Sequence, residues 1–165
     1  MGRVDAAILD AGPLIHLGQI DGLRTLRVVR KCLVTQEVVT ELGRGFALPS
    51  SCRVRTLGPT ARDFAAFLCS RDSLGLGEGT SIALARQERI RLFFTDDLAA
   101  RETAARYGLE PHGTLALLSR ACREGVVSRT DALSLLDSLH RRSSLFLTSD
   151  LVDWARRQIL AFSRG

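Results

Sequence analysis

A chain of 165 residues that is 45% apolar and 25% charged has the balance of a globular protein, which excludes a disordered, collagen-like or fibrous chain. No apolar run reaches the ~20 residues that a bilayer crossing needs, and Met1-Gly2-Arg3 leads straight into structure-forming sequence, so a cytoplasmic location and no membrane partner are expected. The net charge of +5 comes almost wholly from arginine, with Lys31 the only lysine; a guanidinium fork suits phosphate and points to nucleic acid, although a coding bias toward G and C explains the same composition equally well.

The chain opens on Ala6-Ala7-Ile8-Leu9-Asp10, an apolar run that ends on an acid and is broken by Gly12-Pro13. This reads as a buried strand closed by a turn that leaves Asp10 at the mouth of a sheet. The apolar spacing from Leu14 to Leu26 predicts a short helix and a helical turn. A second strand spans Val28 to Val34 and feeds a helix over Gln36 to Leu42, which carries Glu41 and stops at Gly43. Val54 to Leu57 alternates as a brief strand, and Thr60-x-x-Asp63 resembles a capping box in front of the helix bearing Phe64, Phe67 and Leu68. The glycine-punctuated loop Ser73 to Gly79 delivers Glu78 to the start of the next helix.

Ile90 to Thr95 is a strand that also ends in acid, at Asp96-Asp97. The helix Leu98 to Tyr107 stops at Gly108, Pro111-His112-Gly113 forms a turn or short edge strand, and Thr114 to Glu124 forms a helix. Two helices follow, one starting at Ser128 to Asp131 and one behind Thr148-Ser149-Asp150. Alternation of strands and helices predicts a parallel sheet covered on both faces. A single domain over 1–165 is expected, with about 126–165 as a helical C-terminal appendage. Cys32, Cys52, Cys69 and Cys122 form no C-x-x-C pair and read as buried thiols.

In open parallel sheets the ligand crevice lies beyond the carboxyl ends of the strands. Asp10 and the pair Asp96-Asp97 both end strands, and Glu41 and Glu78 sit near helix starts, so this topology can gather five carboxylates on one rim. Taken singly, each acid has an ordinary explanation: Asp97 as a helix cap, Glu78 as a partner of a helix dipole, Glu41 as a solvated residue. Asp10 is the least ordinary, having no obvious capping duty. Clustered carboxylates raise one another's pKa values and call for a compensating cation; hard oxygen ligands select Mg²⁺ or Mn²⁺, and such a site supports phosphodiester hydrolysis. Arg101, Arg106 and Arg120 to Arg123 are candidates for a rim that grips phosphate, while His16, His112 and His140 lack any Ser or Cys partner pattern and read as structural or solvated.

The order of these pieces resembles the PIN-domain nucleases, and in particular the compact branch related to VapC-type toxins. The matching segments are Ile8 to Ile15, Val38-Val39-Thr40-Glu41-Leu42, Gly77 to Ala85, Phe93-Phe94-Thr95-Asp96-Asp97, Gly113 to Leu118 and a tail over Leu145 to Leu160. The resemblance implies a three-layer α/β/α sandwich around a central parallel sheet, with additional C-terminal helices, and Mg²⁺- or Mn²⁺-dependent cleavage of RNA. Asp10, Glu41, Glu78 and Asp97 correspond to the acidic quartet, with Asp96 as an accessory or alternative metal ligand. A homodimer and an antitoxin protein are the partners it implies. Two positions depart from the pattern: Ala11 stands where many relatives carry Thr or Ser, and Gly79 stands where toxin-type members place the third acid.

A receiver domain requires a late lysine and a haloacid-dehalogenase phosphatase requires a second aspartate at position 12, where this chain has glycine. The remaining alternative is a catalytically weak PIN-like module that binds RNA or protein.

Overall fold

The computed structural model describes residues 4–162; Met1, Gly2 and Arg3, read above as leading directly into structure, lie outside the described residues. Five strands, β1 (Val4–Leu9), β2 (Val29–Val34), β3 (Cys52–Val54), β4 (Leu92–Phe94) and β5 (Glu110–His112), form one sheet in the order β3-β2-β1-β4-β5. Every pairing is parallel. The chain winds outward from β1 through β2 to β3, then returns to build β4 and β5 on the other side. The switch point therefore falls between β1 and β4, where the connections diverge to opposite faces and open a crevice.

Among the described residues eight α-helices cover the sheet, α1 (Ala11–Gln19), α2 (Gln36–Leu42), α3 (Pro59–Asp72), α4 (Leu76–Glu88), α5 (Leu98–Arg106), α6 (Thr114–Arg123), α7 (Arg129–Arg142) and α8 (Ser149–Ala161), with a 3-10 helix over Leu23–Val28. Side chains alternate along a strand, and the carboxyl-end halves of β1 and β2 and the whole of β4 follow this. Ala7, Leu9, Cys32, Val34 and Phe94 pack on one face with α1, α6, α7 and α8, whereas Ile8, Leu33 and Phe93 pack on the other with α3, α4 and α5. Two buried clusters separated by the sheet make the three-layer α/β/α sandwich. No helix among the described residues is long and apolar enough to cross a membrane.

Three local readings are displaced. The third strand lies at Cys52–Val54 because its ladder is set by Cys32, Leu33 and Val34 of β2 rather than by the alternation farther along. Gly58 caps α3 and Pro59 occupies its first turn, so Thr60 and Asp63 already lie inside the helix instead of forming a box at its start. Gly12-Pro13 is no turn either: both residues belong to the first turn of α1, where the missing proline N–H has no helical partner to lose.

The close approach of α3 and α4 depends on Gly79. A Cβ at that position would stand 2.5 Å from Cys69 Sγ and 3.3 Å from the Ala65 carbonyl oxygen. Gly79→Ala is expected to destabilise the fold by about 1–3 kcal/mol through overpacking, lowering the thermal midpoint by roughly 5 °C in a melting experiment. An unchanged midpoint would show that the two helices separate freely.

Candidate active site

Asp10 follows the last residue of β1, and its backbone N–H continues the ladder to the Phe94 carbonyl at 3.0 Å. Contrary to the expectation that it has no capping duty, it is the N-cap residue of α1, with Oδ1 accepting from the Ala11 N–H at 2.8 Å. Its Oδ2 accepts from the Thr95 hydroxyl at 2.8 Å. Only 4% of Asp10 is exposed. Burial pushes its carboxyl up to about 6; the Thr95 and Ala11 hydrogen bonds oppose the rise, and the charges of Glu41 and Asp97 add to it.

Glu41 reaches the same point from α2. Gly77 makes room for it, since a Cβ there would lie 2.6 Å from Glu41 Oε2 and 3.5 Å from Asp10 Oδ1. Burial and the charge of Glu78 raise the Glu41 carboxyl. Glu78 stands in the first turn of α4 and folds back, its Oε2 accepting from the Gly75 N–H at 2.8 Å. Burial, together with Asp97 and Asp10, raises it, and the Gly75 hydrogen bond opposes this. Asp97 is the N-cap of α5, with Oδ1 accepting from the Ala100 N–H at 2.7 Å. The charges of Glu41 and Asp97 thus act on Asp10, that of Glu78 on Glu41, and those of Asp97 and Asp10 on Glu78, across the switch point.

Asp96 is directed elsewhere. Its Oδ1 accepts from the Thr114 N–H at 2.7 Å, and its Oδ2 accepts from the Thr114 hydroxyl at 2.6 Å and from His16 Nδ1 at 2.7 Å. Burial works to raise its carboxyl, but the bonds from His16 and Thr114 hold it below the ordinary carboxylate value. Asp96 therefore fastens the end of β4 to α1 and α6, which fixes the backbone that presents Thr95 and Asp97.

Sequence reasoning did not single out Thr95, Thr114 or the role of His16. Thr95 is fully buried, donates to Asp10 and accepts from the Asp97 N–H at 3.3 Å, so one hydroxyl links the two strand-end acids. A hydroxyl residue directly before an acidic pair at a strand end was the available signal. Where Ala11 offers no hydroxyl, Thr95, just past the end of β4, donates one to Asp10. The absent acid at Gly79 has a steric cause, because Cys69 occupies the space any side chain there would need.

None of the six ion pairs among the described residues involves Asp10, Glu41, Glu78 or Asp97. In a chain of net charge +5, these four acids have no ion-pair partner among the described residues. The donor set is four carboxylates, the hard oxygen chemistry that Mg²⁺ and Mn²⁺ prefer, and in that sense the residues fit a divalent ion. Among the described residues they do not close into a ready-made cage, since no three or more His, Cys, Asp or Glu are grouped tightly enough to hold one as placed. Glu78 and Asp97 each commit one oxygen to a helix start.

Fold and site together define an α/β protein with an acidic rim over the switch point of a parallel sheet. The model of a family described as PIN domain matches residues 6–160, and the chain belongs to that family. Its members are generally nucleases and typically use divalent metal ions. No curated protein and no solved structure matches the chain.

Proposed function

We propose that the protein is a Mg²⁺- or Mn²⁺-dependent ribonuclease, with Asp10, Glu41, Glu78 and Asp97 as the acids that hold the metal. The observation that carries this reading is the uncompensated set of acids: carboxylates from four elements lie near enough over the switch point for their charges to raise Asp10, Glu41 and Glu78, none of the four is ion-paired among the described residues, and burial lifts Asp10 to about 6. A fold does not maintain such repulsion for stability, and perturbed carboxylates in a cleft mark functional sites. The choice of RNA rests on the likeness to VapC-type sequences and on the arginine-rich composition.

Asp10, Glu41, Glu78 and Asp97 would hold the divalent ion, which when bound would supply an activated water and charge neutralisation for phosphodiester hydrolysis. The chain's own contribution is orientation. Thr95 Oγ1 and Ala11 N fix both oxygens of Asp10, Gly77 admits the Glu41 carboxylate, and helix caps hold one oxygen each of Glu78 and Asp97. Asp96, gripped by His16 and Thr114, anchors the segment that carries Thr95 and Asp97.

The deciding experiment is cleavage of end-labelled RNA with Mn²⁺ or Mg²⁺ against EDTA. Cutting that appears with metal and disappears with chelator is expected; cutting indifferent to both sinks the proposal. Thr95→Val keeps the shape but removes the hydroxyl that orients Asp10. The expected loss of metal-dependent rate is about 10–100-fold, the usual scale for outer-shell partners of metal ligands, with the far-ultraviolet circular dichroism spectrum preserved. A Thr95→Ser variant, which restores the hydroxyl, is expected to recover most of that rate.

A further inference from the structure

Beside the acidic rim lies a groove that the acids do not account for. Two adjoining clefts at the edge strand β5 share His112, Ala116 and Trp154, one reaching Arg101 and Asp96, the other Arg120. Arg101 lies one helical turn beyond Asp97 in α5, its backbone N–H donating to the Asp97 carbonyl at 3.0 Å. The Nε atoms of both Arg101 and Arg120 are buried without a hydrogen-bond partner, and neither guanidinium belongs to an ion pair among the described residues. Burial and the nearby Arg120 charge hold His112 below the ordinary histidine value, which puts a cation against the groove floor. Above them stand aromatic faces open to solvent: Trp154 of α8 is 47% exposed, and Phe146, in the segment joining α7 to α8, is 86% exposed.

Buried guanidinium nitrogens without partners cost free energy unless a ligand satisfies them. A purely apolar partner surface would seal both cations away from water and make that cost larger. A phosphate backbone does the reverse, and an unpaired base stacks on an exposed aromatic face. We propose that this groove binds unpaired nucleotides of a single-stranded nucleic acid, with phosphates on Arg101 and Arg120 and a base on Trp154, and leads the strand to the Asp97 side of the acids. The inference rests on the nuclease reading and adds to it the groove outside the acids and the residues in it that hold the strand.

Trp154 is the only tryptophan in the chain, so its emission reports this groove alone. The test titrates the wild-type protein, in EDTA to prevent metal-dependent cutting, with a ten-residue oligouridylate, following tryptophan emission and the anisotropy of a labelled copy. Quenching on binding is expected, with weaker response to a duplex. Arg101→Ala and Arg120→Ala are each expected to weaken binding about tenfold and to reduce the magnitude of the salt slope by roughly 0.7. Trp154→Ala is expected to weaken it about tenfold with the slope retained. Unquenched wild-type emission, together with unchanged anisotropy-measured affinity in all three folded variants, overturns the inference. So does equal binding of polyglutamate, which shows charge recognition alone, or a Trp154→Ala variant that converts a dimer to monomers without altering oligonucleotide affinity, which shows that a second copy covers the groove. Should Asp10→Asn cut as well as wild type while quenching persists, the nuclease reading fails and the groove stands.

Discussion

Asp10→Asn is expected to lower metal-dependent cleavage about 10³-fold, equivalent to about 4 kcal/mol of lost transition-state stabilisation, with the protein still folded. The fold survives because asparagine can satisfy both neighbours. Its carbonyl oxygen accepts from the Ala11 N–H, and its amide donates to the Thr95 hydroxyl, whose proton rotates to suit. What disappears is the charge. Asp10 is raised from 3.8 to about 6, so protonation is favoured by folding, and its contribution to stability is full below about pH 4 and lost as the pH rises through about 6. At neutral pH the ionised carboxylate then costs about 3 kcal/mol in the metal-free protein. Metal-free Asp10→Asn should consequently melt several degrees above wild type at pH 7, with the gap closing toward pH 4. Saturating Mn²⁺ should reverse the order, since only wild type offers the full set of acids; at a thousand times the dissociation constant, binding adds about 4.1 kcal/mol, more than the ionised carboxylate costs. Equal cleavage by the two proteins, or a Mn²⁺-induced rise in melting temperature that the variant shares in full, removes Asp10 from the site.

The parallel architecture was readable because each layer leaves its own periodicity. Ile8, Leu33 and Phe93 on one face and Leu9, Val34 and Phe94 on the other are neighbours in sequence, and their apolar runs require cover on both sides of the sheet. Once the sheet is parallel, the carboxyl-end rule places Asp10 and Asp97 on a common rim without further information. The supporting contacts obey no such rule. Thr95 to Asp10 spans 85 positions and His16 to Asp96 spans 80, and nothing local distinguishes a threonine that orients an acid from one that ends a strand. The different directions taken by Asp96 and Asp97 were equally hidden, because Thr114 and His16 turn the first acid toward α1 and α6. Short edge strands were displaced for a related reason. The register of β3 comes from its partner, and three residues carry too little alternation to declare it. Gly12-Pro13 misled in the opposite sense, since the same dipeptide that breaks a strand is tolerated in a helix's first turn.

Gly77→Ala is the second variant with a large expected effect, and it separates site from scaffold. Its Cβ would stand 2.6 Å from Glu41 Oε2, so one of them must move. Gly77 lies in the first turns of α4 against Val38, while Glu41 is the tip of a flexible side chain on an exposed position of α2. The carboxylate therefore swings into solvent. Leaving the cluster also relieves repulsion with Glu78, and alanine favours a helix over glycine by up to about 1 kcal/mol, so the melting temperature should hold or rise slightly. Cleavage should nevertheless fall about 10–100-fold, as expected when one ligand loses its orientation. Glu41→Gln should produce a fall of similar size by removing the same charge. Because both changes act through one carboxylate, the double variant should be no worse than the poorer single one, a coupling that a double-mutant cycle reads directly. Losses that instead multiply would mean that Gly77 shapes the site by some route other than Glu41. An active, stable Gly77→Ala protein would mean that Glu41 is not needed where α4 admits it.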